Sequence, residues 1–384
     1  MTPRITIGLP AYKGADLITK CIESLQRQTF GDFKAIISVD GGDTETAAAC
    51  RSFLADPRFQ MVVQAERLEW FGNFNWLLQQ DLQEFFCYRQ HDDTTAPEFF
   101  ELLLQAADKE PSAAIVYCDC QYTGGRNDLE IARSIEGEPL DRMLQYIERI
   151  PPTPIRGLIR KDAIRQAGLV RSSALADLFV WLAKLVRWGN FRRVAKPLYY
   201  RLDHARNYSK DLHRWPEDQK RAAMTSMFTG LLEAAIPLCR STQERLYVQQ
   251  VILDRVVIYR PERLSIYRQS NELDSSRKLI DDCLERLKDE NNGHLLTKDE
   301  LPKLFQEFQL NRRLDEAKLL ERSRLRRAIY RIRQRSRMCK IIHPRSRVRR
   351  ATYQIRELLF EVWNRCIVCL NVLKEKAGGL LLAR

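Results

Sequence analysis

Short apolar runs alternate with helical stretches along the first 120 residues. Apolar, β-branched runs of the kind that favours strands occupy 5–9, 33–39, 59–63, 85–88 and 113–118. Between them, as at 17–25 and 99–106, apolar residues recur every three or four positions, which predicts helices. This alternation predicts an α/β fold in which a mostly parallel sheet is flanked by helices.

The pattern changes beyond residue 128. A proline-rich connection at 150–155 precedes a helical pattern at 175–186 and a β-like run at 191–200. From 211 to 320 the pattern is helical and amphipathic, with acidic and basic residues mixed. We therefore expect an α-helical C-terminal region to follow the α/β domain.

Charge divides the chain more sharply than its total of +13 suggests. Residues 1–210 hold 27 basic and 27 acidic residues, whereas 321–384 hold 18 basic and 4 acidic residues, a net of +14. We expect three parts: a neutral domain at 1–210, a mixed helical segment at 211–320 and a basic amphipathic helical tail at 321–384.

Composition excludes several classes of protein. The longest runs without a charged residue are eleven long, at 70–80 and 222–232, whereas a membrane-spanning helix needs about 20 apolar residues. The start of the chain lacks a signal-peptide pattern. Ten cysteines are scattered without the paired spacing of a zinc site, which favours a reducing, cytoplasmic setting.

Polar residues follow three of the predicted strands, at 10–12, 40–43 and 90–93. In open α/β sheets, ligands bind at the carboxyl ends of the strands. Neither a phosphate-binding Gly-x-x-x-x-Gly-Lys loop nor a dinucleotide-binding Gly-x-Gly-x-x-Gly motif is present in the sequence. The three strand ends are therefore the candidate site.

Four ordered sets of residues resemble the family 2 glycosyltransferases, which have the glycosyltransferase A fold: 5–12, 37–44, 90–93, and 176–177 followed by 200–204. The resemblance covers about residues 3–210. It implies an inverting, hexosyltransferase-type enzyme. Such an enzyme moves a sugar from a nucleotide donor, with a UDP-sugar favoured, to a hydroxyl of a glycan or lipid-linked acceptor in polysaccharide biosynthesis.

The resemblance places the nucleotide at the first two strand ends. Asp40 matches the family position that accepts a hydrogen bond from the base, and the two glycines after it allow close approach of a ligand. Pro10 and Tyr12 match the other wall of this pocket. The alternative for Asp40 is an Asp-Gly hairpin turn, although 44–49 has the pattern of a capped helix start. For Pro10 and Tyr12 the alternative is a strand-ending turn with a packed ring.

The third strand end resembles the metal motif of the family, an Asp-x-Asp pattern. Gln90, His91 and Asp92 occupy the matching positions. Asp92 is the expected ligand of Mg²⁺ or Mn²⁺, which neutralises a diphosphate leaving group, whereas Gln90 brings no charge. Strand alternation predicts that Gln90 and Asp92 face one way and that His91 and Asp93 face the other. The alternative is that Asp92 and Asp93 only open the next helix.

Four further residues take their expected roles from the same resemblance. Asp177 matches the general base that removes a proton from the acceptor hydroxyl, and a helix N-cap is a compatible alternative. Asn73 matches a position near the donor. Arg201 matches a phosphate contact and His204 a second metal ligand, in a segment that closes over the diphosphate. A surface loop with a structural arginine is the alternative for this segment.

The basic tail at 321–384 joins an arginine-rich stretch to an apolar helical stripe that begins at Ile355. This combination suits the surface of an anionic membrane, where each Lys or Arg contributes about 1 kcal/mol. We expect a cytoplasmic protein that is peripheral on the membrane. Nucleic acid is a less favoured partner because no recognised nucleic-acid-binding fold accompanies the tail. Packing of the tail as charged helices against a partner subunit or against the segment 211–320 is a further alternative. A non-catalytic membrane- or polyanion-binding protein on a degenerate transferase domain is the competing interpretation of the whole chain.

Overall fold

The computed structural model describes residues 3–171, 175–207 and 215–253, and the single residues 255, 256, 279, 282, 283, 285, 286 and 295. The basic tail expected at 321–384 lies outside the described residues, as does much of the segment expected at 211–320. Within the described part, no helix has both the length and the apolar composition that crossing a membrane requires.

The described residues form one nine-stranded sheet in the order β3-β2-β1-β4-β8-β6-β9-β5, with β7 beside β6. The strands are β1 (Ile5–Ala11), β2 (Phe33–Val39), β3 (Phe59–Val63), β4 (Phe85–Tyr88), β5 (Thr94–Thr95), β6 (Ala113–Gly124), β7 (Leu129–Glu130), β8 (Leu158–Arg160) and β9 (Asn190–Asp203). Strands β1 to β4 pair in parallel, and the antiparallel β8 joins β4 to β6. All five strands expected in the first 120 residues are present, which confirms that part of the prediction.

Helices lie between the strands, as the alternating pattern predicts. They are α1 (Ile18–Gln26), α2 (Thr44–Cys50), α3 (Glu69–Leu78), α4 (Phe99–Lys109), α5 (Pro139–Arg149), α6 (Lys161–Ala167), α7 (Leu175–Trp188), α8 (Glu217–Ala235) and α9 (Thr242–Leu253). All seven residues of β1 are buried, which explains why its sequence is an unbroken apolar run. α2 begins where expected because the Asp43 side chain accepts a hydrogen bond from Thr46 N and caps it.

Strand β9 brings distant residues to the carboxyl end of β4. It pairs in parallel with β6 along its length, up to Gly124 opposite Asp203. Near its end it also pairs with β5, where Thr94 lies opposite Tyr200. Because β5 follows β4 after a short turn, the residues that come after β9 lie beside that turn.

Helix α8, in the segment expected at 211–320, packs directly against α7. The two helices approach closely, since a Cβ atom placed on Gly230 would lie 2.7 Å from Val180 Cγ1. Glycine at this position therefore allows α8 to come near the first turns of α7.

Candidate functional site

The loop between β2 and α2 carries Asp40, which is almost fully buried at 2% exposure. Its Oδ1 accepts hydrogen bonds from Leu68 N at 2.6 Å and Gly41 N at 3.1 Å, and its Oδ2 accepts one from Glu69 N at 3.1 Å. A carboxylate has about four acceptor positions, so most of the capacity of Asp40 holds the chain that leads into α3. The contact with a nucleotide base stays a prediction.

The same chain segment brings Arg67 over Tyr12. The guanidinium carbon lies 4.4 Å from the centre of the half-buried Tyr12 ring, a cation–π geometry. Pro10 lies within β1, opposite Ser38 of β2. The structure thus joins Tyr12 to Asp40 through one loop, and Arg67, which sequence reasoning missed, lies between them. Its only signal was its place shortly after the third strand.

Asn73 is buried within α3, and its Nδ2 donates to the carbonyl oxygen of Ser38 at 3.0 Å. This bond ties α3 to β2. Two residues later, Asn75 bonds both backbone groups of Val170, through Nδ2 at 2.7 Å and Oδ1 at 2.9 Å. These bonds hold α3 in place and do not test the contact with the donor that is expected of Asn73, which stays a prediction.

Asp92 and His204 meet at the carboxyl end of β4. His204 Nε2 lies 2.8 Å from Asp92 Oδ2 although the two residues are 112 positions apart. His204 Nδ1 accepts a hydrogen bond from Arg206 N at 3.3 Å, so the ring proton is assigned to Nε2, where it is shared with Asp92. Asn207 Nδ2 donates to the same Oδ2 at 3.1 Å. The two residues expected to hold a metal are thus direct neighbours.

The strand alternation expected for 90–93 is wrong. β4 ends at Tyr88, and the next residues form a turn in which Asp93 N donates to the carbonyl oxygen of Gln90 at 3.3 Å. In this turn Gln90 and Asp93 both approach one arginine: Gln90 Oε1 accepts from Arg156 Nη2 at 2.9 Å, and Asp93 Oδ2 lies 3.9 Å from Arg156 Nε. A turn has no period of two, so side chains two apart need not share a face.

Asp93 is buried and anchors this turn to β9. Its Oδ2 accepts from the Tyr199 hydroxyl at 2.7 Å and its Oδ1 from Leu202 N at 2.9 Å. Burial, and then the neighbouring Asp92 carboxylate, raise the pKa of Asp93 to about 6, while Arg156 acts in the opposite sense. Burial also lowers the pKa of His91, the second residue of the turn.

The donor set fits a divalent cation that is shared with a diphosphate. Carboxylate oxygen is a ligand of both Mg²⁺ and Mn²⁺, whereas imidazole nitrogen is a ligand of transition-metal ions. Among the described residues, no group of three His, Cys, Asp or Glu side chains is placed to hold a metal ion. Mg²⁺ is commonly bound by one or two carboxylates together with substrate phosphates, which is the arrangement that Asp92 allows.

Asp177 lies in the first turn of α7, since that helix begins at Leu175. The N-cap alternative is therefore wrong. Asp177 is buried at 2% exposure, and its Oδ1 accepts a hydrogen bond from Ser226 Oγ at 3.1 Å. Ser226 belongs to α8, so the helical segment after the first domain contributes a partner to the expected base. Nothing in the sequence pattern pointed to Ser226.

Arg201 lies on β9 and contacts Tyr122 of β6. Its Nη1 donates to the Tyr122 hydroxyl at 3.0 Å, and its guanidinium carbon lies 5.2 Å from the ring centre. The hydroxyl also donates to Glu130 Oε2 at 3.1 Å. These contacts give Arg201 a structural role, that of tying β9 to β6. The expected contact of Arg201 with phosphate stays a prediction.

Residues 6–168 match the family model described as glycosyl transferase family 2. The putative glycosyltransferase EpsH of Bacillus subtilis (strain 168) is 26% identical over 159 residues, which are 41% of this chain and 45% of that protein. Chondroitin synthase of Escherichia coli is 25% identical over 214 residues, which are 54% of this chain and 30% of that protein. The matches thus span less than half of each relative.

The fold resembles that of S. aureus TarS 1–349, with a TM-score of 0.58 and 16% identity over 79% of this chain and 86% of that chain. A second structure of the same protein, in complex with UDP-GlcNAc, gives a TM-score of 0.58 at 15% identity. At this identity the likeness shows the fold, which confirms the expected glycosyltransferase A architecture. The match of residues 6–168 to the family model and the two glycosyltransferase relatives support a glycosyltransferase of family 2.

Proposed function

We propose that the protein is an inverting glycosyltransferase that moves a sugar from a nucleotide donor, with a UDP-sugar favoured, to a hydroxyl of a glycan or lipid-linked acceptor. The observation that carries the proposal is the contact of 2.8 Å between His204 and Asp92 at the carboxyl edge of the sheet. The family match and the UDP-GlcNAc complex of the TarS fold neighbour support the choice of donor class.

The described residues divide the work of binding. Tyr12 and Asp40 would take the base, because the loop that carries Arg67 joins them at one edge. Asp92 and His204 would hold a divalent cation, which neutralises the charge of the diphosphate when bound. Hydrogen bonds from His204 and Asn207 keep the Asp92 carboxylate in one orientation.

Transfer would be a single displacement at the anomeric carbon. The acceptor oxygen forms the new bond to that carbon while the bond between the carbon and the diphosphate breaks. The electron pair of the breaking bond leaves with the diphosphate. Asp177 would accept the proton of the acceptor hydroxyl. The Ser226 hydroxyl supports this role, since it holds one carboxylate oxygen in place. Attack opposite the leaving group inverts the configuration.

Donor binding tests the first half of the proposal. A thermal-shift panel of UDP-, GDP-, dTDP- and CMP-sugars, each with and without Mn²⁺, should give a metal-dependent rise in Tm with one nucleotide. A ligand at 100 times its Kd stabilises the folded state by about 2.7 kcal/mol. Asp92→Asn should remove the metal-dependent part, and Asp81→Asn, at an exposed aspartate, is the matched control. No shift in Tm with any nucleotide would instead favour a non-catalytic membrane- or polyanion-binding protein on a degenerate transferase domain.

Turnover tests the second half. Asp177→Asn keeps an acceptor for the Ser226 hydroxyl but removes the base, so donor binding should be unchanged while release of nucleotide diphosphate falls by about 10²- to 10⁴-fold. Unchanged turnover in this variant would contradict the assignment of the base.

Membrane attachment is a separate part of the proposal. It is supported by the net charge of +14 in residues 321–384. The full chain should sediment with anionic vesicles and be released by moderate salt, since exposed charges are screened beyond about 8 Å at physiological ionic strength. Retention by neutral vesicles to the same extent would contradict an electrostatic attachment.

A further inference from the structure

Asn207 uses every polar atom of its side chain in the turn that follows β9. Its Oδ1 accepts a hydrogen bond from His204 N at 2.7 Å, and its Nδ2 donates to Asp92 Oδ2 at 3.1 Å and to the Leu202 carbonyl oxygen at 3.2 Å. Its own backbone N donates to the His204 carbonyl oxygen at 3.1 Å. The side chain is buried, with 8% of the residue exposed.

The orientation of the amide follows from these partners. Only an oxygen can accept the His204 N–H, and only an N–H can face both a carboxylate and a carbonyl oxygen. The amide therefore points its nitrogen at Asp92, and no flipped arrangement satisfies the same three partners. A carboxylate in its place would set one oxygen against two others.

The amide acts on both members of the Asp92–His204 pair at once. Through Oδ1 it fixes the backbone from which the His204 imidazole extends. Through Nδ2 it holds Asp92 Oδ2, the same oxygen that His204 Nε2 contacts. Both ligand atoms are thus placed before any ligand arrives, which lowers the entropy lost when a metal binds.

We propose that Asn207 is a positioning residue that preforms the Asp92–His204 pair for a divalent cation bound with the donor diphosphate. The inference rests on the proposed function, since it concerns the same metal site. It adds a residue that lies outside the segment matched by the family model, which ends at 168. Asn207 needs no contact with the metal or the substrate to act in this way.

The test is a titration of the full chain with Mn²⁺ in the presence of saturating UDP, with free Mn²⁺ measured by electron paramagnetic resonance. Asn207→Ala should weaken Mn²⁺ binding by about 10- to 100-fold, the range seen when groups that orient metal ligands are removed. The affinity for UDP without metal should stay unchanged. Asn127→Ala, at an exposed asparagine in another turn, is the matched control and should bind Mn²⁺ like the wild type.

Asn207→Asp tests a separate point, namely that position 207 lies beside the metal site. It keeps the acceptor for His204 N but replaces the amide nitrogen with a second carboxylate oxygen beside Asp92. Without metal the two carboxylates repel each other, so Tm should fall. With Mn²⁺ they supply two charged ligands beside His204, so the affinity should be at least about tenfold higher than that of Asn207→Ala.

Each outcome decides the matter. If folded Asn207→Ala binds Mn²⁺ within twofold of the wild type, the positioning role is overturned. If Asn207→Ala does not fold, Asn207→Ser, whose side chain is too short to span the same partners, takes its place in the titration with the same twofold limit. If the wild type binds UDP but no Mn²⁺, the metal part of the proposed function fails first, and this inference fails with it.

Discussion

Asp40 and Asp92 both follow strands of the parallel half of the sheet, and the sequence predicts a donor contact for both. Their partners differ. The Asp40 carboxylate accepts hydrogen bonds from backbone N–H groups of the nearby chain that enters α3. The Asp92 carboxylate contacts the side chains of His204 and Asn207, which come from beyond β9.

This difference separates a carboxylate that is mostly engaged in holding a loop from one whose partners are side chains at the edge of the sheet. The backbone N–H groups of Leu68 and Glu69 are partly shielded from water and have Asp40 as their acceptor, so removing this carboxylate should cost stability. Side chains that meet at an edge can exchange one partner for another when a cation arrives. We therefore expect substitutions at Asp40 to act mainly on folding and substitutions at Asp92 to act mainly on binding.

Substitution of Asp93 should cause the largest loss of stability. Asp93 is adjacent to Asp92 in the sequence but has different partners, so it is a close comparison for Asp92. Asp93→Ala leaves the Tyr199 hydroxyl and Leu202 N without their acceptor and removes the carboxylate near Arg156. The free energy of unfolding should fall by about 3 kcal/mol, measured by urea denaturation. Asp81→Ala, on the surface, should leave the urea midpoint unchanged. A loss below about 1 kcal/mol in Asp93→Ala would show that the turn is not anchored through this residue.

The next largest effect tests the comparison of Asp40 with Asp92 directly, through the stability that each alanine variant loses. Asp40→Ala removes the acceptor of Leu68 N and Glu69 N, and should lower the free energy of unfolding by about 2 kcal/mol. Asp92→Ala should lower it by about 1 kcal/mol or less, because the partly exposed His204 can turn to water. Equal losses in the two variants would remove the distinction.

Asp43 should make a smaller contribution to stability, and this contribution should be lost in acid. Burial opposes ionisation of this residue, but hydrogen bonds from Thr46 and then from Lys13 outweigh it and lower the pKa of Asp43. A depressed pKa in the folded state stabilises the protein above the pKa of the unfolded chain, about 4, and this stabilisation disappears as the pH falls through the folded value. Urea denaturation should therefore show Asp43→Asn to be less stable than the wild type at pH 7, with the gap closing towards pH 2. A gap that widens in acid would reverse the assigned sign.

The smallest effect, a change in Mn²⁺ affinity, is expected at Gln90, although the acidic motif of the family would suggest a large effect there. Gln90→Asp restores the acidic pattern of the family, yet Arg156 Nη2 lies 2.9 Å from the Gln90 side-chain oxygen and would bind the new carboxylate. Mn²⁺ affinity in the presence of UDP should change by less than about twofold. A gain of tenfold would show that position 90 is open to the metal after all.

The sequence predicts the strands and most helices of the first domain well because their apolar periods are regular. Ile18, Cys21, Ile22 and Leu25, for example, are buried as one face of α1. It also places Asp92 and His204 in one site, although only through a family resemblance. It misses Asn207, since the contact of this residue with Asp92 joins positions 115 apart in the chain. It also misplaces the side chains of 90–93, because β4 ends two residues before a turn that carries no periodic signal.

The location of the metal tests the central claim most directly. Crystals grown with UDP and Mn²⁺ should give an anomalous difference peak within coordination distance of Asp92 and His204, with the diphosphate oxygens on its other side. The hydrogen bond of 2.8 Å between the two side chains should then be replaced by two bonds to the ion. UDP bound with no peak beside Asp92, or with the peak held by other residues, would contradict the account.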